Sequence, residues 1–412
     1  MLRSGGAVIH MLPIENDIRY LAGKAGIPLN VKPFIPYDET ICDFLNDLSA
    51  ALLSNAAAKQ YPDVISFAFF CRKANVSKLK KQFLCEDHMR LGLGMVFHIA
   101  PSNVPINFAF SYIFSLLAGN SNIVKVPTRD FPQTAIVCGE INRLFEFKKY
   151  KEIADKTALI KYSQDDKVTA LFSSQCNARI IWGGDQTIRD IRKLPVPERS
   201  IDISFADRYS FCVFDTLSIL NADFEIMERL ANSFFNDTYI MDQNACSSPH
   251  LLVWLNNSNL IPDAKRKFWE HVSNIVQSKY DLQPVHAMDK YVLLCKSSID
   301  LECLSSIDRY KNLLYRLELE LLPDNIDDLR GKCGYFYEYN TDDINNIAYI
   351  VNRKYQTLTY FGISKKQLAD FVINNRLSGI DRIVPVGSAL DIGMIWDGYN
   401  IVKTLSRIID IR

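Results

Sequence analysis

Hydrophobic positions along the middle of the chain alternate between short apolar runs and longer amphipathic stretches. The run "GMVFHIAP" (94–101) predicts a strand, and the apolar stretch "VPINFAFSYIFSLLAG" (104–119) predicts a buried helix. A turn then leads to the predicted strand "IVKVP" (123–127) and to the amphipathic helix "DFPQTAIVCGEINRLFEF" (130–147). Strands that alternate with helices of these lengths are typical of a parallel α/β sheet.

The stretch "ARIIWGGDQTIRDIRKL" (178–194) predicts a strand, a tight turn and a helix in immediate succession. Trp182 ends the predicted strand, Gly183 and Gly184 form the turn, and the helix begins between Asp185 and Thr187. Unpaired N–H groups at a helix N-terminus attract phosphate groups. Two glycines are a weaker signal than a full GxGxxG pattern, so a plain strand–helix connection remains the alternative.

The same alternation returns in the second half of the chain. The helix "ADFEIMERLANSFFNDTYI" (222–240) precedes the strand "SPHLLVWL" (248–255), and "GYFYEY" (334–339) predicts a later strand. The stretch "IDRYKNLLYRLELELL" (307–322) predicts a charged helix. The pattern as a whole therefore predicts an α/β protein with more than one domain.

Composition narrows the class of protein. The 47 basic residues balance the 47 acidic ones, which argues against nucleic acid as the main partner. The ten cysteines occur singly, without zinc-ligand spacing, so we expect no metal site and a reduced, cytoplasmic protein. The longest apolar run is shorter than the ~20 residues of a membrane span, so we expect no transmembrane segment.

Cys246 differs from most of the other cysteines because small polar residues surround it in "DQNACSSPH". Asn, Gln and Ser side chains can donate hydrogen bonds to a group bonded to the sulfur, which indicates a nucleophile. Asn103, in the turn "PSNVP", could donate a second hydrogen bond to an oxyanion. Two alternatives remain open: a core thiol at Cys246 and a helix cap at Asn103. A dyad of Cys246 with His250 is disfavoured, because Pro249 lies between them.

Several motifs together resemble a known family. The stretch "HIAPSNVPINFAFSYIFSLLAGNSNIVKVPTR" resembles the aldehyde dehydrogenase pattern of Pro-x-Asn-x-Pro, an apolar helix, Ala-Gly-Asn and a strand ending in Lys. The motifs "DQNACSSP", "RIVPVGSALDIGMIWDGYN" and "KTLSRII" are closer to the LuxC-type acyl-CoA reductases, and the resemblance runs from about Gly92 to the C-terminus. It implies an aldehyde-dehydrogenase-like α/β fold with an N-terminal and Rossmann-type cofactor domain (1–208), a catalytic thioester domain (209–395) and a C-terminal segment (396–412).

The resemblance also implies roles for individual residues. Cys246 would take the acyl group, and Asn103 would donate a hydrogen bond to the thioester oxyanion. The residues implied for cofactor binding are Lys125, Thr128, Gly183, Gly184 and Thr187. The reductant of this family is NADPH, although the sequence itself does not select NADPH over NADH.

The implied reaction is the NADPH-dependent reduction of an acyl thioester to the aldehyde through acyl-Cys246. Ser204 stands where oxidative aldehyde dehydrogenases carry the Glu that activates water, which favours reduction over oxidation. The acyl carrier would be CoA, an acyl-carrier protein or an acyl-protein synthetase, and we expect a homo-oligomer. The alternatives are a cysteine acyltransferase or thioesterase without a nicotinamide, and a CoA-acylating aldehyde dehydrogenase that works in the oxidative direction.

Overall fold

The computed structural model describes residues 18–24, 29–84, 88–102, 104–163, 166–256 and 259–412. The chain forms two compact units. The first unit comprises residues 1–206 together with 399–412, and the second comprises residues 207–398. Within the described ranges, none of the helices is both long and apolar enough to cross a bilayer.

The first unit contains seven strands and eight α-helices before residue 206 in its described part. The strands are β1 (Arg19–Gly23), β2 (Met89–Gly92), β3 (Met95–Ile99), β4 (Ser121–Lys125), β5 (Thr157–Lys161), β6 (Ala178–Trp182) and β7 (Ile201–Phe205). The helices are α1 (Glu39–Ser54), α2 (Pro62–Phe70), α3 (Lys73–Phe83), α4 (Asn107–Leu117), α5 (Pro132–Phe145), α6 (Lys151–Ala154), α7 (Asp166–Ser173) and α8 (Asp185–Arg192). Short 3-10 helices cover 58–60 and 148–150.

The main sheet of the first unit has the strand order β1-β5-β4-β3-β6-β7. All neighbouring strands are parallel except the edge strand β1. All five residues of β3 are buried because helices cover both faces of a parallel sheet. The strand order reverses between β3 and β6, and open α/β sheets bind ligands outside the carboxyl ends of their strands at such a point. The α/β, Rossmann-type prediction for this part of the chain is confirmed.

The second unit contains eight strands and five α-helices in its described part. The strands are β8 (Tyr209–Asp215), β9 (Leu251–Leu255), β10 (Leu304–Tyr310), β11 (Leu314–Leu319), β12 (Tyr335–Thr341), β13 (Tyr355–Phe361), β14 (Arg382–Pro385) and β15 (Ile395–Trp396). The helices are α9 (Thr216–Asn221), α10 (Phe224–Thr238), α11 (Ile261–Lys279), α12 (Pro284–Asp300) and α13 (Lys365–Asn374), and 3-10 helices cover 326–328 and 344–350. The terminal segment of the first unit adds β16 (Tyr399–Asn400), α14 (Ile401–Thr404) and β17 (Ser406–Ile409). Strand β17 pairs antiparallel with β2.

The sheet of the second unit has the order β10-β11-β12-β9-β8-β13-β14. Neighbouring strands are parallel except β10 and β11. Successive residues of β8 enter two different cores: Phe211 and Val213 pack on one face, Cys212 and Phe214 on the other. Because these strands are parallel, the amino ends of β8, β9, β12 and β13 meet at one edge of the sheet.

The predicted helix at 307–322 is wrong, because the structure forms the hairpin of β10 and β11 there. Lys311 has a φ of 52° in the turn that joins the strands. Along β11 the buried Leu317 and Leu319 alternate with the less buried Arg316 and Glu318. This two-residue period is that of a strand with one buried face, and the density of charged residues concealed it.

Candidate active site

Cys246 lies between the end of α10 and the start of β9, at the amino edge of the second unit's sheet. Among the cysteines that the structure describes, only Cys246 and Cys295 are exposed. The alternative of a core thiol at Cys246 is therefore wrong. A thiol that solvent reaches can be approached by a substrate, which is the first requirement for a nucleophile.

Gln243 holds the loop that carries Cys246. Asp242 and Gln243 have φ values of 50° and 60°, so the chain turns sharply in the left-handed region directly after α10. The buried amide of Gln243 donates to the main-chain oxygens of Pro249 (3.0 Å) and Tyr335 (2.9 Å). Its oxygen accepts from the main-chain N–H groups of Gly334 (3.2 Å) and Tyr335 (3.0 Å). Gln243 thus binds main chain and leaves no donor for a group on the sulfur.

The serines near Cys246 also bind main-chain atoms. Ser248 donates from its hydroxyl to the main-chain oxygen of Asp237 (2.7 Å), at the end of α10. Ser210, on β8, donates to the main-chain oxygen of Cys246 itself (2.6 Å). The expectation that the polar neighbours of Cys246 serve a group on its sulfur is therefore wrong for Gln243 and Ser248, which fix the loop instead.

The groups around Cys246 have opposite effects on the pKa of its thiol. The pKa of Cys246 is raised, first because protein atoms displace part of the water around the sulfur even though the residue is exposed, and then by the negative charges of Asp207 and Asp397. The main-chain N–H of Arg208 and the guanidinium of Arg330 act in the other direction and lower this pKa. The first set prevails, so the resting side chain is a neutral thiol at pH 7.

Both aspartates that influence Cys246 have partners. Asp207 forms an ion pair with Arg330 (2.6 Å), and the carboxylate of Asp397 accepts a hydrogen bond from the amide of Gln356. Asp397 belongs to the loop "WDGYN" (396–400), for which the sequence alone leaves a substrate-proximal and a structural role open. Burial raises the pKa of Asp397, although the hydrogen bond from Gln356 and the charge of Arg208 oppose this change.

The position where Ser204 replaces a water-activating Glu lies in the first unit. Ser204 is on β7, and its hydroxyl oxygen is buried without a hydrogen-bond partner in the described structure. Asp202, on the same strand, binds Arg179 through two hydrogen bonds of 2.9 and 2.8 Å. Because Asp202 is paired with Arg179, it is poorly placed to accept a proton from water.

His250 is a packing residue. It is buried, and its ring stacks on that of Tyr209 with 5.7 Å between the ring centres. Burial lowers the pKa of His250 to about 3, with the positive charge of Arg330 acting in the same direction, so the imidazole is neutral at pH 7. These properties agree with the expectation that His250 does not form a dyad with Cys246.

Lys125 is the last residue of β4, at the carboxyl edge of the first unit's sheet. Its amino group lies 4.2 Å from the centre of the Tyr162 ring. Burial lowers the pKa of Lys125, and the negative charge of Asp166 partly opposes this. Within the described residues Lys125 has no carboxylate at ion-pair distance, so its ammonium group can bind an anionic ligand.

Gly183 and Gly184 follow β6 at the same edge of the sheet. Gly184 precedes α8 without a side-chain cap, and no atom lies within 4 Å of the place where its Cβ would be. Beside Gly183, the Cβ and methyl group of Thr187 lie 3.3 Å from the corresponding position. The open main chain can therefore approach a phosphate closely, although Asp185 in the first turn of α8 opposes an anion.

The predicted cofactor residues lie on neighbouring elements of one edge. Strand β3 separates β4 from β6, so Lys125 and Gly183 are about two strand spacings, ~10 Å, apart. Thr128 is exposed in the loop after β4. Asn103 lies outside the described residues, and its role stays a prediction. No group of His, Cys, Asp or Glu side chains within the described ranges is arranged to hold a metal ion.

Sequence reasoning missed a hydrogen-bonded chain that orients Trp182, directly before Gly183. The indole N–H of Trp182 donates to the Ser111 hydroxyl (3.1 Å), which lies 2.8 Å from Nδ1 of His98. Nε2 of His98 lies 3.0 Å from Oδ1 of Asn122, whose amide donates to a main-chain oxygen. Nε2 therefore carries the proton, and Nδ1 accepts from Ser111. Polar residues inside apolar elements were the available signal.

The fold is shared with solved aldehyde dehydrogenases. Aldehyde dehydrogenase 21 from Physcomitrella patens, in complex with succinate, superposes with a TM-score of 0.61 at 12% identity, over 91% of this chain and 84% of that one. Glyceraldehyde-3-phosphate dehydrogenase GapN from Methanocaldococcus jannaschii, complexed with NADP, gives 0.60 at 17% identity, over 90% and 88%. A 1-pyrroline-5-carboxylate dehydrogenase from Thermus with bound NAD gives 0.58 at 13% identity, over 90% and 81%.

No curated protein matches the sequence. A family model described as acyl-CoA reductase (LuxC) matches residues 77–289, which is more than half of the chain. That range includes the first unit's sheet from β3 onwards, the loop of Cys246 and β9. The chain therefore belongs to the LuxC family of acyl-CoA reductases and has the α/β fold of the aldehyde dehydrogenase superfamily.

Proposed function

We propose that this oxidoreductase reduces an acyl thioester, with NADPH as the reductant, to the corresponding aldehyde through an acyl group bound to Cys246. The observation that carries the proposal is the exposed thiol of Cys246 in a loop whose main chain is fixed by Gln243, Ser248 and Ser210. A nucleophile held in this way loses little conformational freedom when it attacks. The net reaction converts the acyl thioester, NADPH and a proton into the aldehyde, the carrier thiol and NADP⁺.

The first step is transthioesterification. The sulfur of Cys246 attacks the carbonyl carbon, the bond from that carbon to the carrier sulfur breaks, and the carrier leaves as a thiol. Because the resting Cys246 is protonated, its proton must pass to the departing sulfur. The main-chain N–H of Arg208 and the charge of Arg330 favour the thiolate of Cys246 during this transfer. In this proposal the oxyanion accepts a hydrogen bond from Asn103.

The residues of the first unit fit a nicotinamide dinucleotide. The ammonium group of Lys125 suits the adenosine ribose or its phosphate, with Thr128 assisting, and the main chain at Gly183 and Gly184 suits a diphosphate. When bound, the reduced nicotinamide supplies the hydride that releases the aldehyde and regenerates the thiol. The solved neighbours with NADP and with NAD support this class of cofactor, and the family resemblance supports NADPH.

Reduction competes with hydrolysis of the acyl-enzyme. The two carboxylates that act on Cys246 are bound to Arg330 and Gln356, and Asp202 is bound to Arg179. Asp207 and Asp202 are therefore held in ion pairs and are poorly placed to accept a proton from water, which favours survival of the acyl-enzyme. This supports a reductase over a thioesterase. The acyl donor in this proposal is acyl-CoA, an acyl-carrier protein or an acyl-protein synthetase.

The test is intact-mass spectrometry of the chain after incubation with a series of acyl-CoAs and acyl-carrier proteins, with and without NADPH. We expect one acyl group per chain that disappears, with formation of aldehyde, when NADPH is added. Cys246→Ala should bind NADPH but form neither acyl-enzyme nor aldehyde. Cys295→Ala, which removes the other exposed cysteine in the described structure, should retain both activities.

Two results would contradict the proposal. Aldehyde production by Cys246→Ala at the wild-type rate would exclude the acyl-cysteine route. Acylation of Cys246 followed by release of free acid, with no effect of NADPH, would indicate a thioesterase.

A further inference from the structure

Helix α12 presents an apolar stripe to solvent. Five apolar or thiol side chains on this helix are exposed: Val285, Met288, Val292, Cys295 and Ile299. They follow one another at spacings of three, four, three and four residues, so at 3.6 residues per turn they form one continuous stripe about 21 Å long. Ile299 is 81% exposed and Met288 is 63% exposed. Exposed apolar side chains normally occur singly, and a continuous stripe marks an interaction surface.

The opposite face of α12 is fixed in the second unit. Lys290, Leu294 and Ser297 are buried on that face. The amino group of Lys290 donates to the main-chain oxygen of Cys333 (2.7 Å) and lies 4.6 Å from the centre of the Tyr315 ring. Rotation of the helix to bury the apolar stripe would remove the Lys290 ammonium from both partners. The stripe therefore stays on the surface of a single chain.

Charged residues beside the stripe indicate what covers it. Asp289 and Lys296 are exposed, lie seven residues apart on the same flank of the stripe, and have no ion-pair partner among the described residues. When two copies of a helix pack antiparallel about a two-fold axis, the same flanks face each other. Asp289 of one copy then meets Lys296 of the other, and the symmetry produces this pair twice.

A parallel pair would lack these contacts. In that arrangement the flank with Asp289 and Lys296 would face the opposite flank, which carries Tyr291 and Ser298 and has no charge to offer. The stripe and its charges are thus self-complementary in the antiparallel orientation only.

We propose that α12 is a self-association surface, on which a second copy of this chain packs its own α12 antiparallel about a two-fold axis. Val292 lies near the centre of the contact, where it faces Val292 of the other copy. This inference is independent of the reaction proposed for Cys246.

The first experiment is sedimentation velocity over a range of protein concentrations. The wild type should contain a species that Val292→Glu converts to one of half its mass, or that it weakens at least 100-fold in dissociation constant. Ile373→Glu is the matched control: Ile373 is 69% exposed on α13, away from the stripe, and its substitution should leave the mass unchanged. Thermal unfolding of Ile373→Glu should match that of the wild type, and thermal unfolding of Val292→Glu should match that of the wild type diluted until it no longer associates.

The second experiment exchanges the charges. Asp289→Lys and Lys296→Asp should each weaken association, about 10-fold, because each places like charges opposite one another. The double variant Asp289→Lys/Lys296→Asp should restore it. Val292→Cys should form an intermolecular disulfide with the same position of the other copy under mild oxidation, also when Cys295→Ala is added.

Three results would overturn the proposal. A wild type that is monomeric at every concentration would assign the stripe to another occupant. A mass unaffected by Val292→Glu would place any association elsewhere. Failure of the double charge exchange to restore association would exclude the antiparallel pair.

Discussion

The amino edge of the second unit's sheet and the carboxyl edge of the first unit's sheet differ in how their polar groups are satisfied. Around Cys246, Gln243 binds main-chain groups, and the charged side chains are paired, as Asp207 is with Arg330. At the other edge, the ammonium of Lys125 lies against a ring, and the main chain at Gly184 is open. Hydrogen bonds and ion pairs within the protein fix the loop of Cys246, a reactive group that the chain itself supplies. Polar groups without such partners, at Lys125 and Gly184, can instead bind a ligand from solution.

The largest expected effect comes from breaking the internal pairing at Gln243. Gln243→Leu leaves two main-chain oxygens and two main-chain N–H groups unsatisfied in a buried position, at a cost on the order of 4 kcal/mol. Urea unfolding of the full chain measures this loss. Asn244→Ala, which changes the adjacent exposed amide, is the control and should stay within about 1 kcal/mol of the wild type. Equal losses of stability in both variants would contradict the inference that Gln243 fixes the loop of Cys246.

The next effect concerns Asp237, whose carboxylate accepts hydrogen bonds from the main-chain N–H groups of Gly387 (2.6 Å) and Ala389 (2.9 Å). Burial raises its pKa from 3.8 to about 6, although these two hydrogen bonds oppose the change. Between about pH 4 and pH 6 the folded protein therefore binds more protons than the unfolded chain. The contribution of Asp237 to stability falls by about 3 kcal/mol as the pH rises through this window.

The measurement is the free energy of unfolding of wild type and Asp237→Asn at pH 4 and pH 7. His250, whose pKa is lowered to about 3, changes stability in the opposite direction below about pH 6.5, but it is common to both proteins. Relative to the wild type, Asp237→Asn should gain about 3 kcal/mol on going from pH 4 to pH 7. A difference that does not change with pH would refute the raised pKa.

At the unpaired edge, Lys125→Met should weaken NADPH binding by about 10- to 100-fold, because it removes a charged hydrogen-bond donor. Acylation of Cys246 by acyl-CoA should continue at the wild-type rate. Fluorescence titration measures the first quantity and intact-mass spectrometry the second. Lys161→Met is the control, since the Lys161 amine is already paired with Asp130 and its loss should change NADPH binding little. Similar losses in both variants would mean that net charge, rather than Lys125, attracts the cofactor.

The smallest effect tests the balance of charges at Cys246. Asp397→Asn removes a negative charge that raises the pKa of Cys246, so more thiolate is present at pH 7.5 and alkylation accelerates by about 2- to 5-fold. Peptide mass spectrometry after iodoacetamide treatment reports Cys246 and, as an internal reference, the exposed Cys295. An unchanged ratio of the two rates would show that Asp397 does not act on the sulfur.

The sequence predicts the elements better than the orientation of side chains in loops. The strand ending at Trp182, the helix from Asp185 and the position of Cys246 between a helix and a strand follow from local patterns of apolar residues. The direction of Gln243 does not, because its partners include Tyr335, 92 residues further along the chain. The local pattern also gave the wrong element for β11. Its charged residues, such as Arg316 and Glu318, suggested a helix, but they alternate with buried residues at the two-residue period of a strand.

The electrostatic part of the site was equally beyond sequence reasoning. Asp207 and Asp397 are 190 positions apart, and only the tertiary structure brings the influence of both to Cys246. Composition gave equal numbers of acidic and basic residues, which carries no information about which of them meet. The sequence therefore identifies the reactive residue, Cys246, more readily than the residues that fix its loop and influence its pKa.

The hydrogen bonds of Gln243 also determine when the loop of Cys246 can become ordered during protein synthesis. Cys246 leaves the ribosome before Gly334 and Tyr335 have been translated, so three of the four hydrogen bonds of Gln243 are missing while the chain grows. Contacts over such a separation form late, after the neighbouring helices and hairpins. A nascent chain therefore carries an exposed and loosely held thiol, and its maturation is complete only when β12 takes its place beside β9.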